Sequence, residues 1–84
     1  MEKKKVAIIG VTGSVGQEFV QSLNDHPWFE VTQIAASERS AGKNYLEAIR
    51  NEGGIIMWDV GGEIPEYIKS MTVKKVDELD TSQL

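Results

Sequence analysis

Three glycines, Gly10, Gly13 and Gly16, recur at intervals of three residues directly after the apolar run at residues 6–9. Gly10 permits a sharp exit from a strand, Gly13 lets the backbone approach a ligand, and Gly16 permits close packing of a helix against a strand. We expect four backbone N–H groups to be free donors at the positive end of that helix: those of Thr12, Gly13, Ser14 and Val15. The spacing therefore predicts a site for the diphosphate of a dinucleotide, and the alternative is a tight turn without a ligand. A mononucleotide P-loop is disfavoured because no lysine follows Gly16.

The residues after the second strand-like run favour NADP over NAD as the dinucleotide. Sites for NAD place an acid about twenty residues beyond the glycines, whereas sites for NADP use small polar groups and an arginine. Here that position is Ser37, and Arg39 and Ser40 follow it. Two hydroxyls and a guanidinium can hold a doubly charged phosphate, and Arg39 can donate a bidentate pair. We expect the Glu38 side chain to face solvent. The alternative for Arg39 is that it lies in an ordinary solvated loop and binds no phosphate.

The elements that must position these residues form a strand, helix and strand. Residues 6–9 are continuously apolar, which is typical of a strand buried on both faces of a parallel sheet. A helix is predicted from Ser14 to near Asn24, before Pro27. Its apolar positions fall on one stripe, at Val15, Phe19, Val20 and Leu23. Residues 29–36 predict a second strand, which completes a βαβ unit with a right-handed crossover.

The remaining residues give weaker signals. Residues 37–43 predict a loop, and residues 44–50 could form two helical turns. Residues 55–58 predict either a short strand or an apolar loop packed over the sheet. Further elements are a helical first turn at residues 65–69 and a third strand at residues 71–76. These elements predict an α/β fold with an incomplete Rossmann-like parallel sheet, helices on both faces and at most three strands.

Composition excludes several functions. The 84 residues contain no cysteine and one histidine, so disulfides, thiolate metal sites, multi-histidine metal sites and a cysteine nucleophile are not expected. His26 precedes a proline at a helix end, where a surface or capping role is expected rather than a catalytic one. A net charge of −4 argues against nucleic-acid binding. Without a spanning run or a signal-peptide pattern, we expect no membrane contact and a cytoplasmic protein.

Three segments carry a family resemblance. Residues 10–17 and 26–31, followed by the Ser-x-Arg-Ser-Ala-Gly-Lys loop that begins at Ser37, resemble the N-terminal part of aspartate-semialdehyde dehydrogenases. The branch with this loop also includes malonyl-CoA reductases. Residues 61–66 resemble the family more loosely. Alanine is common in the family where this chain has Val11, and we expect only the backbone to be used there.

The resemblance implies NADP as cofactor and reduction of an acyl phosphate or acyl-CoA substrate through a cysteine thioester. It implies that the phosphates are held by Thr12, Gly13, Ser14 and Val15, and the 2′-phosphate by Ser37, Arg39 and Ser40. The cysteine, histidine and arginine of the family's catalytic site have no counterpart in the 84 residues. We therefore predict that residues 1–84 form part of a dinucleotide-binding domain, lack the catalytic and dimerisation domain, and are inactive alone.

Four alternatives remain open: a malonyl-CoA reductase type of enzyme, a non-catalytic NAD(P)-sensing module, a short-chain reductase and a purely structural protein with no ligand. The short-chain reductase requires a Tyr-x-x-x-Lys motif that the chain does not contain. The parent protein is expected to be a homo-oligomer. In the doubly wound order the first strand lies between the second and the fourth, so with three strands it becomes an edge that can pair with another chain.

Overall fold

The computed structural model describes residues 2–84; Met1, at the start of the basic lead-in, lies outside the described residues. Three parallel strands form one sheet in the order β1-β2-β3. The strands are β1 (Lys4–Ile9), β2 (Phe29–Ala35) and β3 (Val73–Lys74), and the helices are α1 (Ser14–Ser22), α2 (Tyr45–Ala48) and α3 (Glu66–Lys69). Two 3-10 turns follow, at Val76–Glu78 and Thr81–Gln83. The Rossmann-like α/β prediction is confirmed.

The βαβ unit at the start of the chain forms as predicted. β1 and β2 pair in parallel through α1, and β1 has no second neighbour in the described sheet. The pairing is shifted once, because Val6 lies opposite Val31 and Ala7 lies opposite Gln33. Thr32 is therefore an extra residue in β2, which is a β-bulge. The first strand is an edge, as its position in the doubly wound order predicts.

Apolar side chains from β1, β2, β3, α1 and α2 share one core. Its members with the least exposure are Val11, Val20, Ile34, Tyr45, Ile68 and Val73. The Val11 side chain is fully buried, so this residue also contributes to the core. The glycine turn is therefore anchored to the core by a side chain inside the turn itself.

The predicted stripe on α1 is partly wrong. Val20 is buried and Leu23 packs against the core, but Val15 is 67% exposed and Phe19 is 55% exposed. Gly16 and Gln17 occupy the buried face instead. The reason is that Gly16 brings the start of α1 against the turn after β1, which rotates Val15 and Phe19 away from the described sheet.

Three weaker predictions also differ in extent. α2 has one turn rather than two, and the third strand is limited to Val73–Lys74 because Val76 begins a 3-10 turn. Residues 55–58 form no strand, but Trp58 is partly buried and packs against the core, in agreement with the loop alternative. Ile55 is 63% exposed, and Ile56 makes a single antiparallel bridge with Arg50. Residues 50–57 thus form a short exposed hairpin.

The last residues are fixed to the middle strand by Gln33. Its side chain donates to the carbonyl oxygen of Asp80 at 2.9 Å and accepts from the Asp80 N–H at 2.7 Å. The Lys74 ammonium also donates to Gln33 Oε1 at 3.3 Å. In residues 2–84, every helix is too short and too polar for a bilayer span.

Candidate dinucleotide site

The glycine turn is locked to the end of β2. The N–H groups of Gly10 and Val11 donate to the carbonyl oxygen of Ala35 at 2.9 and 3.1 Å. Gly10 has a φ of +73°, which L side chains rarely adopt, so glycine is required at this strand exit. Because the turn follows β1 and the Ser37 loop follows β2, the two halves of the predicted site lie at the same carboxyl edge of the sheet.

Gly16 and Gly13 have different roles. A Cβ on Gly16 would overlap the carbonyl oxygen of Gly10 and lie 2.8 Å from the Val11 Cα, so helix and turn can approach only without a side chain. A Cβ on Gly13 would meet only the Gly10 oxygen, at an ordinary 3.6 Å. Folding therefore explains Gly16 fully but does not explain Gly13. The open face at Gly13 is a place where a ligand can contact the backbone.

Three of the four predicted amide donors are available. The expectation for Gly13 is wrong, because its N–H donates to the Gly10 carbonyl oxygen at 3.1 Å within the turn. The N–H groups of Thr12, Ser14 and Val15 have no acceptor among residues 2–84. The N-cap of α1 has no side-chain hydrogen bond, and its first turn contains no acid. This helix start has the donors and the positive end of the dipole that an anion requires.

Gln17 organises the turn in a way that the sequence pattern did not reveal. Its side chain is 1% exposed, and its amide nitrogen donates to the carbonyl oxygens of Thr12 at 3.1 Å and Met57 at 2.8 Å. Its oxygen accepts from the Asp59 N–H at 2.7 Å. Gln17 therefore links the glycine turn to the segment that follows the exposed hairpin. A polar residue directly after Gly16 gave no signal of burial.

Four of the nine predicted cofactor residues line one cleft of about 310 Å³, whereas Gly10, Gly13, Ser14, Val15 and Gly16 do not line it. Its lining residues include Thr12 from the glycine turn and Ser37, Arg39 and Ser40 from the loop after β2. The rest of its lining is formed by Lys43, Ala48, Ile49, Arg50 and Met57, and no carboxylate lines it. The cleft is therefore cationic in a chain whose net charge is −4. Charge and shape fit a bound phosphate group.

Glu38 lies on the other side of the same loop. It is exposed and lines a separate groove with Ala36, Lys75 and Asp77. Its carboxylate does not line the cleft that contains Arg39. The geometry agrees with the expectation that Glu38 faces solvent, so it leaves the cationic cleft without a competing negative charge.

Tyr45 holds the two halves of the site together. Asn44 caps α2 by accepting from the Glu47 N–H at 2.9 Å, and this places Tyr45 in the core. The Tyr45 hydroxyl donates to the carbonyl oxygen of Val11 at 3.1 Å. Burial, and to a smaller degree the nearby Tyr67, raise the pKa of Tyr45 well above the ordinary value of a phenol. The phenol therefore stays protonated and keeps donating to the turn.

Five residues of the cleft were not among the predicted site residues: Lys43, Ala48, Ile49, Arg50 and Met57. Arg50 and Met57 lie in the hairpin at residues 50–57, which sequence patterns described only as an apolar segment between glycine pairs. The available signal was charge, since Arg50 is the one cation in the sequence between Lys43 and Lys69. His26, in contrast, lies away from the cleft; its Nδ1 accepts from the Trp28 N–H at 3.1 Å, which agrees with a local capping role.

Comparison with known proteins gives a consistent picture. The family described as "Semialdehyde dehydrogenase, NAD binding domain" matches residues 5–84. The aspartate-semialdehyde dehydrogenase of Archaeoglobus fulgidus is 42% identical over 72 residues, which are 86% of this chain and 19% of that protein. The enzyme of the same name from Schizosaccharomyces pombe is 41% identical over 83 residues, which are 99% of this chain and 21% of that protein.

A solved structure extends the similarity to three dimensions. The crystal structure of the Candida albicans aspartate semialdehyde dehydrogenase with NADP matches with a TM-score of 0.75 and 38% identity. The match covers 88% of this chain and 19% of the Candida chain. This chain thus spans about a fifth of the length of the proteins that it matches.

Proposed function

The chain belongs to the semialdehyde dehydrogenase family through its NAD-binding domain, and from that premise we propose that it is the NADP-binding segment of an aspartate-semialdehyde dehydrogenase. The observation that carries this proposal is the cationic cleft at the carboxyl edge of the sheet. It joins the glycine turn to a serine and arginine loop, and no carboxylate lines it. The similar Candida enzyme, whose crystal structure was determined with NADP, supports the same choice of cofactor.

The proposed contacts follow the two halves of the site. The glycine turn holds the diphosphate. Gly10 and Gly16 give the turn its shape, and Gly13 leaves the face of the turn open. The N–H groups that donate to the diphosphate are those of Thr12, Ser14 and Val15. Ser37, Arg39 and Ser40 hold the 2′-phosphate, which distinguishes NADP from NAD. When bound, the cofactor supplies a hydride, and the residues named here orient it.

The reaction, substrate and assembly belong to the proposed parent enzyme. The resemblance implies NADPH-dependent reduction of an acyl phosphate, with aspartyl phosphate giving aspartate semialdehyde, through a cysteine thioester. Since the 84 residues contain no cysteine, we expect the chain to bind NADP without turning over substrate. The parent is proposed to be a cytoplasmic homo-oligomer, in which residues 1–84 form part of the dinucleotide-binding domain.

Calorimetric titration of the chain with NADP and with NAD tests the proposal. We expect tighter binding of NADP. Replacing Arg39 with alanine should cost about 1.5–3 kcal/mol, a tenfold to hundredfold loss of NADP affinity, while NAD affinity stays nearly unchanged. Equal affinity of the folded chain for the two dinucleotides, or equal losses in the variant, contradicts the proposed phosphate site.

A further inference from the structure

We propose that Arg50 is a second guanidinium for the 2′-phosphate of NADP and determines cofactor choice together with Arg39. The inference rests on the proposed function and extends it to a residue outside the Ser37 loop. Arg50 lies at the end of α2 and lines the cleft that contains Ser37, Arg39 and Ser40. It is the one arginine besides Arg39 on the cleft wall.

Charge favours this role. Arg39, Lys43 and Arg50 supply three positive charges to a wall without acids. Among residues 2–84 none of these three cations forms a salt bridge, whereas Lys69 pairs with Glu66 at 2.9 Å. Three unpaired cations on one wall repel one another, and a dianion between them relieves that repulsion. A phosphate that carries two negative charges is the group on NADP that NAD lacks.

The hairpin that carries Arg50 is built to hold a fixed position. Asn51 closes it, because its side-chain oxygen accepts from the N–H groups of Gly53 at 2.9 Å and Ile55 at 3.0 Å. The Met57 N–H then donates to the carbonyl oxygen of Ile49 at 2.9 Å. Within residues 2–84 the Arg50 guanidinium makes one hydrogen bond, a long one of 3.4 Å to the Gly54 carbonyl oxygen. The backbone at Arg50 is therefore fixed while its guanidinium stays available to a ligand.

The hairpin is also tied to the diphosphate half of the site. Gln17 holds the Met57 carbonyl oxygen at 2.8 Å and the Thr12 carbonyl oxygen at 3.1 Å. Met57 and Ile49 give the cleft an apolar wall next to Arg50. An adenosine with a 2′-phosphate needs this combination, because its base presents an apolar face and its phosphate presents charge. The hairpin thus supplies both kinds of contact from one side.

The test is calorimetric titration of the 84-residue chain and its variants with NADP, NAD, adenosine 2′,5′-bisphosphate and adenosine 5′-monophosphate. Replacement of Arg50 by alanine should weaken NADP and the bisphosphate by about five- to tenfold, and NAD and the monophosphate by less than about twofold. The loss should be smaller than that for Arg39, because the Arg50 guanidinium gives up its 3.4 Å hydrogen bond to the Gly54 carbonyl oxygen when it turns to the phosphate. Arg50→Lys should recover part of the affinity because the charge remains.

The matched control is Lys4→Ala. It removes the same charge from an exposed residue at the start of β1, which is the opposite end of the sheet. If Lys4→Ala weakens NADP as much as Arg50→Ala does, the effect is general attraction and the inference is wrong. Equal losses for NADP and NAD in Arg50→Ala also overturn it.

The outcomes separate the two proposals. If the unaltered chain prefers NADP and Arg39→Ala abolishes that preference while Arg50→Ala does not, the proposed function stands and the role of Arg50 falls. If the folded chain shows no preference for either phosphorylated ligand, both fall. Circular dichroism of each variant confirms that it is folded, and Arg50→Lys provides a second reading should the alanine variant unfold.

Discussion

The hydroxyl of Tyr45 donates to the carbonyl oxygen of Val11 at 3.1 Å, with both residues fully buried. This hydrogen bond connects α2, which follows the loop proposed to hold the 2′-phosphate, to the turn proposed to hold the diphosphate. The second tyrosine makes a similar bond to α1: the Tyr67 hydroxyl donates to the Val20 carbonyl oxygen at 2.7 Å. Both phenols therefore stabilise the fold in their protonated form.

Alkaline pH should unfold the chain through these two groups. Burial raises the pKa of Tyr67 to about 12, and Tyr45 is shifted in the same direction, from an ordinary value of 10.0. The folded chain holds the phenolic protons more tightly than the unfolded chain does. The contribution of the two tyrosines to stability is therefore complete below pH 10.0 and is lost as pH rises through about 12. Phenolate absorbance and far-ultraviolet circular dichroism should change together in that range. Both tyrosines ionising near pH 10 in a folded chain contradicts this prediction.

Alanine substitutions at Gly16 and Gly13 should change different properties: the first lowers the stability of the fold, and the second lowers the affinity for NADP. Gly16→Ala places a methyl group against the backbone of Gly10 and Val11, so it should destabilise the fold by about 2–4 kcal/mol. Gly13→Ala meets only an ordinary contact, so its urea midpoint should stay close to that of the unaltered chain. The added methyl at Gly13 should nevertheless weaken NADP by tenfold or more, since it fills the open face of the turn. Normal NADP binding by a folded Gly13→Ala variant would remove this turn from the proposed site.

Loss of the Gln17 amide should release the hairpin from the turn. Gln17→Leu keeps the approximate size of the side chain but leaves the Met57 carbonyl oxygen and the Asp59 N–H without their partner. We expect a loss of about 1–3 kcal/mol in stability. Hydrogen exchange gives a local readout, since the Asp59 amide should lose protection more than the amides of β2. Gln21→Leu is the control, because Gln21 is exposed and donates only to the Gly61 carbonyl oxygen.

Thr32→Val should stabilise the chain. The Thr32 hydroxyl oxygen is buried and has no hydrogen-bond partner within residues 2–84. Valine has the same shape without the polar atom, so the substitution removes a desolvation cost of about 1–2 kcal/mol. Chemical denaturation should show a higher midpoint with an unchanged slope. A lower midpoint would mean that the hydroxyl has a partner, such as water, in solution.

The free edge of β1 should make the isolated chain associate. This strand pairs only with β2 in the described sheet, and Ile9 at its end is 61% exposed. We expect sedimentation velocity to show dimers or larger species as concentration rises, and Ile9→Lys to shift them toward monomer. Trp28→Lys is the control, because Trp28 is 66% exposed but lies outside the strand. A monomer at all concentrations contradicts the prediction.

Local patterns predicted the parts of the fold whose causes are local. The strand exit at Gly10, the helix after it and the strand at residues 29–35 depend on short stretches of sequence, and all three form. The cleft also brings together Thr12, Ser37, Arg39 and Ser40, as the site prediction required. Their contacts with NADP stay a prediction.

The parts that sequence did not predict depend on contacts between distant residues. Gln17 reads as a surface residue, and only its bonds to residues 57 and 59 show why it is buried. Val15 and Phe19 read as core residues, yet no described element packs on their side of α1. Arg50 and Met57 both line the cleft because the hairpin pairs residue 50 with residue 56, and no periodicity indicates such a turn.

The bulge in β2 makes Thr32 a spacer between two halves of a strand. Since side chains alternate along a strand, one added residue reverses which face the following residues occupy. Val31 and Ile34 both reach the shared core across this interruption. Exchanging the Thr32 side chain therefore leaves the register of β2 unchanged, whereas deleting the residue would turn Ile34 away from the core. Among related sequences, substitutions of this residue should therefore be more frequent than insertions or deletions beside it.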